Sequence, residues 1–258
     1  MLWNSIYKNQ IEFIFIDNSR EKNLAKKLQP LIKNGFKVRL IKSKNIGFGK
    51  ACNLGAKKAI GENLLFINPD IYFLSSIENI INSLRNKIWG TCYVKSNFSF
   101  QSLMIIPEKN NFLFELLKLH RILYLFPKFL ISKLNSFTNN FYVNGCFLAI
   151  KKNSFFKIGK FNENFFLYFE DLELSERLKI KYGQPFLCTS VTVEHKSHSS
   201  TKNYKTLTKF ESEGFLKYIK IKNKNYLLKK YINLFKIISF FYPKYQIRYK
   251  AYAKLKIK

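Results

Sequence analysis

Glu170 and Asp171 stand side by side, directly after the aromatic run Phe165-Phe166-Leu167-Tyr168-Phe169. Two adjacent carboxylates near aromatic side chains cannot both ionise freely, because desolvation and like-charge repulsion raise the pKa of at least one of them. Such a pair supplies a general base poised nearer neutrality, or simply caps a surface helix. The residues that follow fit a half-buried helix: Leu172, Leu174 and Leu178 alternate with Glu173, Glu176, Arg177 and Lys179. Acids lead, cations trail, and Gly183 offers a C-terminal stop, so Asp171 is expected at a helix start.

Two more polar clusters fall where strands are expected to end. NLLFI breaks at Asn68-Pro69 and delivers Asp70. A carboxylate at a strand end of an α/β sheet lies where ligands bind and can hold Mg²⁺ or Mn²⁺, although an ordinary Asn-Pro-Asp turn gives the same residues. IEFIFIDNS reads as a strand ending in Asp17, Asn18 and Ser19. Between them, Gly47 and Gly49 make a turn that enters a helix through Ala51, Leu54 and Ala59. Its free backbone N–H groups would suit a phosphate or sugar, while purely steric demands also select glycine there.

Taken in order, IDNS, KNIGFGKACNLGAKKAIGENLLFINPD, VNGCFLAIKK, IGKFNENFFLYFEDLELSERL and VEHKSHSS resemble the successive motifs of family 2 glycosyltransferases of the bacterial rhamnosyltransferase-like branch, over roughly residues 11–200. The resemblance implies an α/β fold of the GT-A type, a Rossmann-like mixed sheet flanked by helices. It also implies a nucleotide-diphosphate sugar donor, a divalent metal (Mg²⁺ or Mn²⁺) and inversion at the anomeric carbon. By this resemblance Asp171 is the catalytic base and Glu170 its partner. Asp17 contacts the base or ribose of the donor, and Asn18, Asn45, Gly47, Asn53 and Asn68 lie on the donor side. Asp70 matches the last acid of a DxD-type metal motif whose first acid is Asn68 here. Gly145 begins the acceptor-side loop, and His195 reaches the metal or diphosphate, a position that a hydrogen-bonded structural histidine would fill equally well. The implied acceptor is a glycan or lipid-linked glycan in surface polysaccharide or O-antigen assembly, with a rhamnose-like or other hexose transferred. Similar sequences carry a hydrophobic strand and a Thr/Asn-rich turn ahead of the segment matching IEFIFIDNS. Only LWNSIYKNQ precedes it here, so the first strand is expected to be missing and an inactive remnant is an alternative reading.

The chain has 258 residues, 47% apolar, enough for one large domain or a domain with an appendage. Its formal charge of +29 raises nucleic acid or an anionic membrane as partner. Lys, Asn, Ile and Phe are abundant throughout, a bias that codon usage alone produces, and no nucleic acid is expected as partner. Charge concentrates after residue 200, with sixteen Lys/Arg against Glu211 and Glu213, interleaved with aromatics such as Phe215, Tyr218, Tyr231, Phe235, Phe240 and Phe241. This divides the chain into a catalytic domain over 1–200 and a helical tail over 201–258. The tail reads either as an interfacial helix on anionic lipid or as a helix packed on the domain. Residues 111–134 are a second amphipathic candidate. No run of about eighteen apolar residues and no signal-like N-terminus occur, which points to the cytoplasm, peripheral on the inner membrane face. Cys52, Cys92, Cys146 and Cys188 form no CxxC pair, against zinc and disulfides. A dinucleotide-binding oxidoreductase is a rival reading of Gly47-x-Gly49, with Cys52 standing where a third glycine belongs.

Overall fold

The computed structural model describes residues 8–19, 23–96, 99–108, 125, 127–128, 141–196 and 203–255. The expectation of a missing first strand concerns what precedes IEFIFIDNS, where residues 1–7 lie outside the described residues, as does nearly all of the 111–134 amphipathic candidate.

Strand β1 (Glu12–Asp17) pairs in parallel with β2 (Lys37–Lys42), with α1 (Leu24–Lys33) between them in the chain. Helix α2 (Phe48–Lys58) then leads to β3 (Asn63–Ile67), β4 (Ile71–Phe73), α3 (Glu78–Asn86) and β5 (Trp89–Ser96). After β6 (Ser99–Phe100), β7 (Leu103–Ile105) and β8 (Phe141–Val143) come β9 (Phe147–Lys151), α4 (Lys152–Lys157), α5 (Glu170–Tyr182) and β10 (Phe186–His195). Three helices close the chain: α6 (Tyr204–Ile221), α7 (Tyr226–Phe241) and α8 (Gln246–Ala253).

The main sheet runs β3-β9-β5-β10-β4, with β6 beside β5. Strands β5 and β10 are parallel, whereas β9 is antiparallel to both its neighbours, so the sheet is mixed. Strands covered on both faces read as continuous apolar runs rather than alternating ones, and FLAI in β9 is such a run. Phe147 and Ala149 join Ile80 and Leu84 of α3 in one core. Leu148 and Ile150 point the other way, into a core with Trp89, Phe155, Phe161, Leu174 and Leu178. Helix α5 thus presses its leucine stripe on the sheet, and its first turn carries Glu170, Asp171 and Glu173 while its last carries Lys179 and Lys181.

The basic, aromatic tail does not stand free. Phe215, Tyr218, Ile219, Leu227, Leu228, Tyr231, Phe235 and Tyr252 form a third core together with Phe165 and Leu172, and Phe169 packs against it, so the residues on either side of the acidic pair rest on the tail. Each large aromatic side chain buried in this way contributes a few kcal/mol of transfer free energy, about 25 cal/mol per Å². Lys222 and Lys224 reach Glu176 of α5 at 3.1 and 3.3 Å, and Arg248 reaches Glu211 at 3.0 Å, so several tail cations serve internal pairs. The packed alternative thus describes these aromatics, whose 3.6-residue spacing turns them onto the domain. Tyr204 and Tyr226 are exposed, as are Ile237, Phe240, Phe241 and Tyr242 at the end of α7. Among the described residues no helix is long and apolar enough to cross a membrane.

Candidate active site

The three-residue turn Asn144-Gly145-Cys146, between β8 and β9, joins the two acidic motifs. On one side Gly145 N–H donates to Asp171 Oδ2 at 2.8 Å. On the other, Asn68 N–H donates to Cys146 O at 3.0 Å, which fixes the turn that carries Asp70. Asn144 closes the turn on itself by accepting from Cys146 N–H at 2.9 Å. Asp171 and Asp70 therefore flank one short loop.

The adjacent carboxylates have separate environments. Asp171 is half-buried, and its Oδ1 accepts from Leu172 N–H at 2.8 Å. Burial raises its pKa while the backbone hydrogen bonds from Gly145 and Leu172 oppose the rise. Each oxygen keeps a lone pair for a further donor. Glu170 points inward, is 4% exposed, and has no partner for Oε2 among the described residues. Burial, then the charge of Asp171, pushes its carboxyl up to about 8. Asp171 thus faces the loop and Glu170 the interior, and burial raises the pKa of both.

The second centre is Asp70 with His195, at the end of β10. His195 Nε2 lies 3.1 Å from Asp70 Oδ1, and Nδ1 lies 2.8 Å from Gln101 Oε1. With Nδ1–H donating to Gln101, the lone pair of Nε2 faces a carboxylate oxygen, an arrangement that needs a proton or a cation to offset it. A carboxylate oxygen and an imidazole nitrogen are donors that Mn²⁺ accepts readily, so the pair fits the expected divalent cation. No cluster of three or more His, Cys, Asp or Glu residues surrounds a common point among the described residues. With Asp70 and His195 as its protein ligands, such a cation would bind together with the phosphate oxygens of a substrate.

The remaining expected donor-side residues divide in two. Asp17 ends β1, where Ser19 holds its Oδ1 through both Oγ at 2.6 Å and N–H at 2.9 Å, keeping the carboxyl below its ordinary range. Asn18 follows it, with a buried Oδ1 that meets no partner among the described residues. Asn45 and Gly47 shape the entry to α2, Asn45 Oδ1 accepting from Gly47 N–H at 3.3 Å. The first N–H of that helix, from Phe48, is taken by Phe166 O at 2.9 Å rather than left for a ligand. A Cβ at Gly47, whose φ is 90°, would collide with the same carbonyl, so the steric reason for glycine applies here. Asn53 is 1% exposed, and its amide is occupied by Phe161 N–H, Phe161 O and Glu163. It supports the loop ahead of Phe165 from behind instead of facing a ligand. Sequence reasoning missed Gln101, Asn144 and Phe166: Gln101 falls in the stretch without motif resemblance, Asn144 acts through a side-chain bond within its own turn, and Phe166 through its backbone carbonyl.

Residues 1–246 match the family model described as glycosyltransferase like family 2. Among solved structures, GalNAc-T7 with UDP, GalNAc and Mn²⁺ superposes on 77% of this chain and 41% of its own, with a TM-score of 0.52 and 15% identity. A mannosyltransferase, PcManGT from Pyrobaculum calidifontis, in complex with GDP-Man and Mn²⁺, does so on 84% and 56%, with a TM-score of 0.53 and 10% identity. The chain thus spans about half the length of these structures, and at such identities the likeness is one of fold. No curated protein sequence matches the chain.

Proposed function

The chain belongs to glycosyltransferase like family 2 and has the GT-A fold, and from that premise we propose that it is an inverting glycosyltransferase in which Asp171 is the general base. The observation that carries this reading is the Asn144-Gly145-Cys146 turn, bonded on one side to Asp171 and on the other to the Asn68-Pro69-Asp70 turn. A base and a diphosphate site flanking one loop are what a single in-line displacement uses. Asp171 accepts the proton of the acceptor hydroxyl as that oxygen attacks the anomeric carbon, and its two backbone hydrogen bonds hold the carboxylate in one orientation while it does so. Glu170, buried and largely protonated at neutral pH, is unsuited to act as a nucleophile, which favours one displacement over two. Asp70 and His195, oriented by Gln101, would hold Mg²⁺ or Mn²⁺, which when bound offsets the charge developing on the leaving nucleoside diphosphate. Asp17 and Asn18 serve the nucleotide end of the donor.

The finer identity rests on the order of the sequence motifs: a rhamnose-like or other hexose moved to a glycan or lipid-linked acceptor in surface polysaccharide or O-antigen assembly. A lipid-linked acceptor gains support from the exposed Ile237, Phe240, Phe241 and Tyr242 beside Lys236, on a stretch with no acid after Glu213. Such a face suits the peripheral contact with anionic lipid read from the tail. Titration calorimetry of UDP, GDP and dTDP with and without Mn²⁺ tests the reading. One nucleotide is expected to bind in a Mn²⁺-dependent manner. Binding of none, with salt-sensitive retention on heparin, would turn the assignment towards the nucleic-acid alternative.

A further inference from the structure

The five residues ahead of the acidic pair, Phe165 to Phe169, are gripped from two sides. Tyr168 and Phe169 have φ of 69° and 70°, two consecutive left-handed residues of types that rarely take that conformation, so tertiary contacts must hold them there. The turn at Gly47 and Phe48 grips Phe166 through the 2.9 Å hydrogen bond to its carbonyl. From the other side comes α6. A Cβ placed on Gly214 would lie 2.7 Å from Tyr168 O, 3.1 Å from Phe169 Cδ2 and 3.3 Å from Leu167 O. The same helix sets Phe210 against Phe166 at 4.8 Å and both Phe215 and Tyr218 against Phe169, at 5.7 and 5.8 Å. Phe169 O then accepts from Glu173 N–H at 3.0 Å and so begins α5, with Asp171 in its first turn.

We propose that Gly214 and Phe210 of α6 are positioning residues that fix the left-handed Tyr168–Phe169 turn, and through it both the aim of Asp171 and the Gly47–Phe48 turn on the donor side. The catalytic half of this inference rests on the reading of Asp171 as base. It gives the basic tail a role inside the site rather than beside it. An alanine at Gly214 forces the Tyr168 carbonyl away from α6, because a methyl group 2.7 Å from an oxygen is well inside contact. Phe210→Ala removes the ring against Phe166 without adding any atom, and since Phe210 is only half-buried that variant keeps its fold.

The experiment compares the full chain with Gly214→Ala and Phe210→Ala by amide hydrogen exchange, which needs no substrate, and by steady-state kinetics. Exchange across residues 46–50 and 144–147 is expected to quicken about tenfold in both variants, while β5 and β9 stay protected. Turnover is expected to fall about 10- to 100-fold for Gly214→Ala with donor KM within about threefold, the split that misplacement of a base produces. Unchanged exchange at both turns in folded variants would overturn the proposal, as would a raised donor KM with turnover unchanged. A quickened exchange in a protein that transfers no sugar would uphold the grip and count against the glycosyltransferase reading instead.

Discussion

Replacing Glu170 by glutamine should stabilise the protein, and by an amount that grows with pH. The carboxyl is 4% exposed, and burial with the neighbouring Asp171 carries its pKa from 4.5 to about 8. Between those values the folded protein keeps a proton that the unfolded chain has released, so wild-type stability falls as pH rises from about 4.5 to 8 and is flat above. At pH 7 the penalty is about 3 kcal/mol, taking about 1.4 kcal/mol per unit. Glutamine has the same shape and cannot ionise, so the variant escapes the penalty. The difference between the two proteins is expected to be near zero at pH 4.5, about 3 kcal/mol at pH 7, and constant beyond pH 8. For a chain of this size that corresponds to a gain of about 6–10 °C in Tm at neutral pH. Denaturant unfolding at half-unit steps of pH measures it, and Lys179, which also titrates near pH 8, cancels in the comparison. A difference that does not change between pH 4.5 and 8, or a variant less stable at pH 8, would show that Glu170 is not held protonated by its burial.

Two other outcomes follow from the same geometry. Asp70→Asn and His195→Ala should each weaken Mn²⁺ binding about 10-fold or more, and Gln101→Leu should do so about 10-fold by freeing the imidazole tautomer, read by calorimetry with Mn²⁺ alone and with nucleoside diphosphate; equal affinities in all four proteins would remove the pair from the metal site. Phe240→Ser with Phe241→Ser should lower sedimentation with anionic vesicles about 10-fold or more at low salt and leave the fold intact, since both rings are exposed, whereas unchanged binding would show that this end of α7 does not touch lipid.

Much of the site could be read along the chain because its determinants are local. Leading acids, trailing lysines and Gly183 define α5 within one segment, and the Asn68-Pro69-Asp70 break marks the end of β3 without reference to anything distant. What escaped the reading depends on approaches between distant segments. Gly47 looked equally suited to a phosphate and to crowding, and only the carbonyl of Phe166 against it decides for crowding. Asn53 carries a side chain typical of ligand contacts, yet Phe161 and Glu163 satisfy it from the interior. In the tail, lysines among aromatics suit a lipid surface and a packed amphipathic helix alike. The spacing of Phe215, Tyr218 and Ile219 belongs to the second, whereas Ile237, Phe240 and Phe241 stay exposed.

That Asp171 takes the acceptor proton is checked by Asp171→Asn in the full chain. Each nucleotide sugar is incubated with Mn²⁺ and a glycan or lipid-linked acceptor, and donor consumption and anomeric configuration are followed by NMR. The wild-type protein is expected to consume one donor with inversion. The variant should turn over about 10²–10⁴ times more slowly at similar donor affinity. Equal turnover by the two proteins, or retention of configuration in the product, would contradict it.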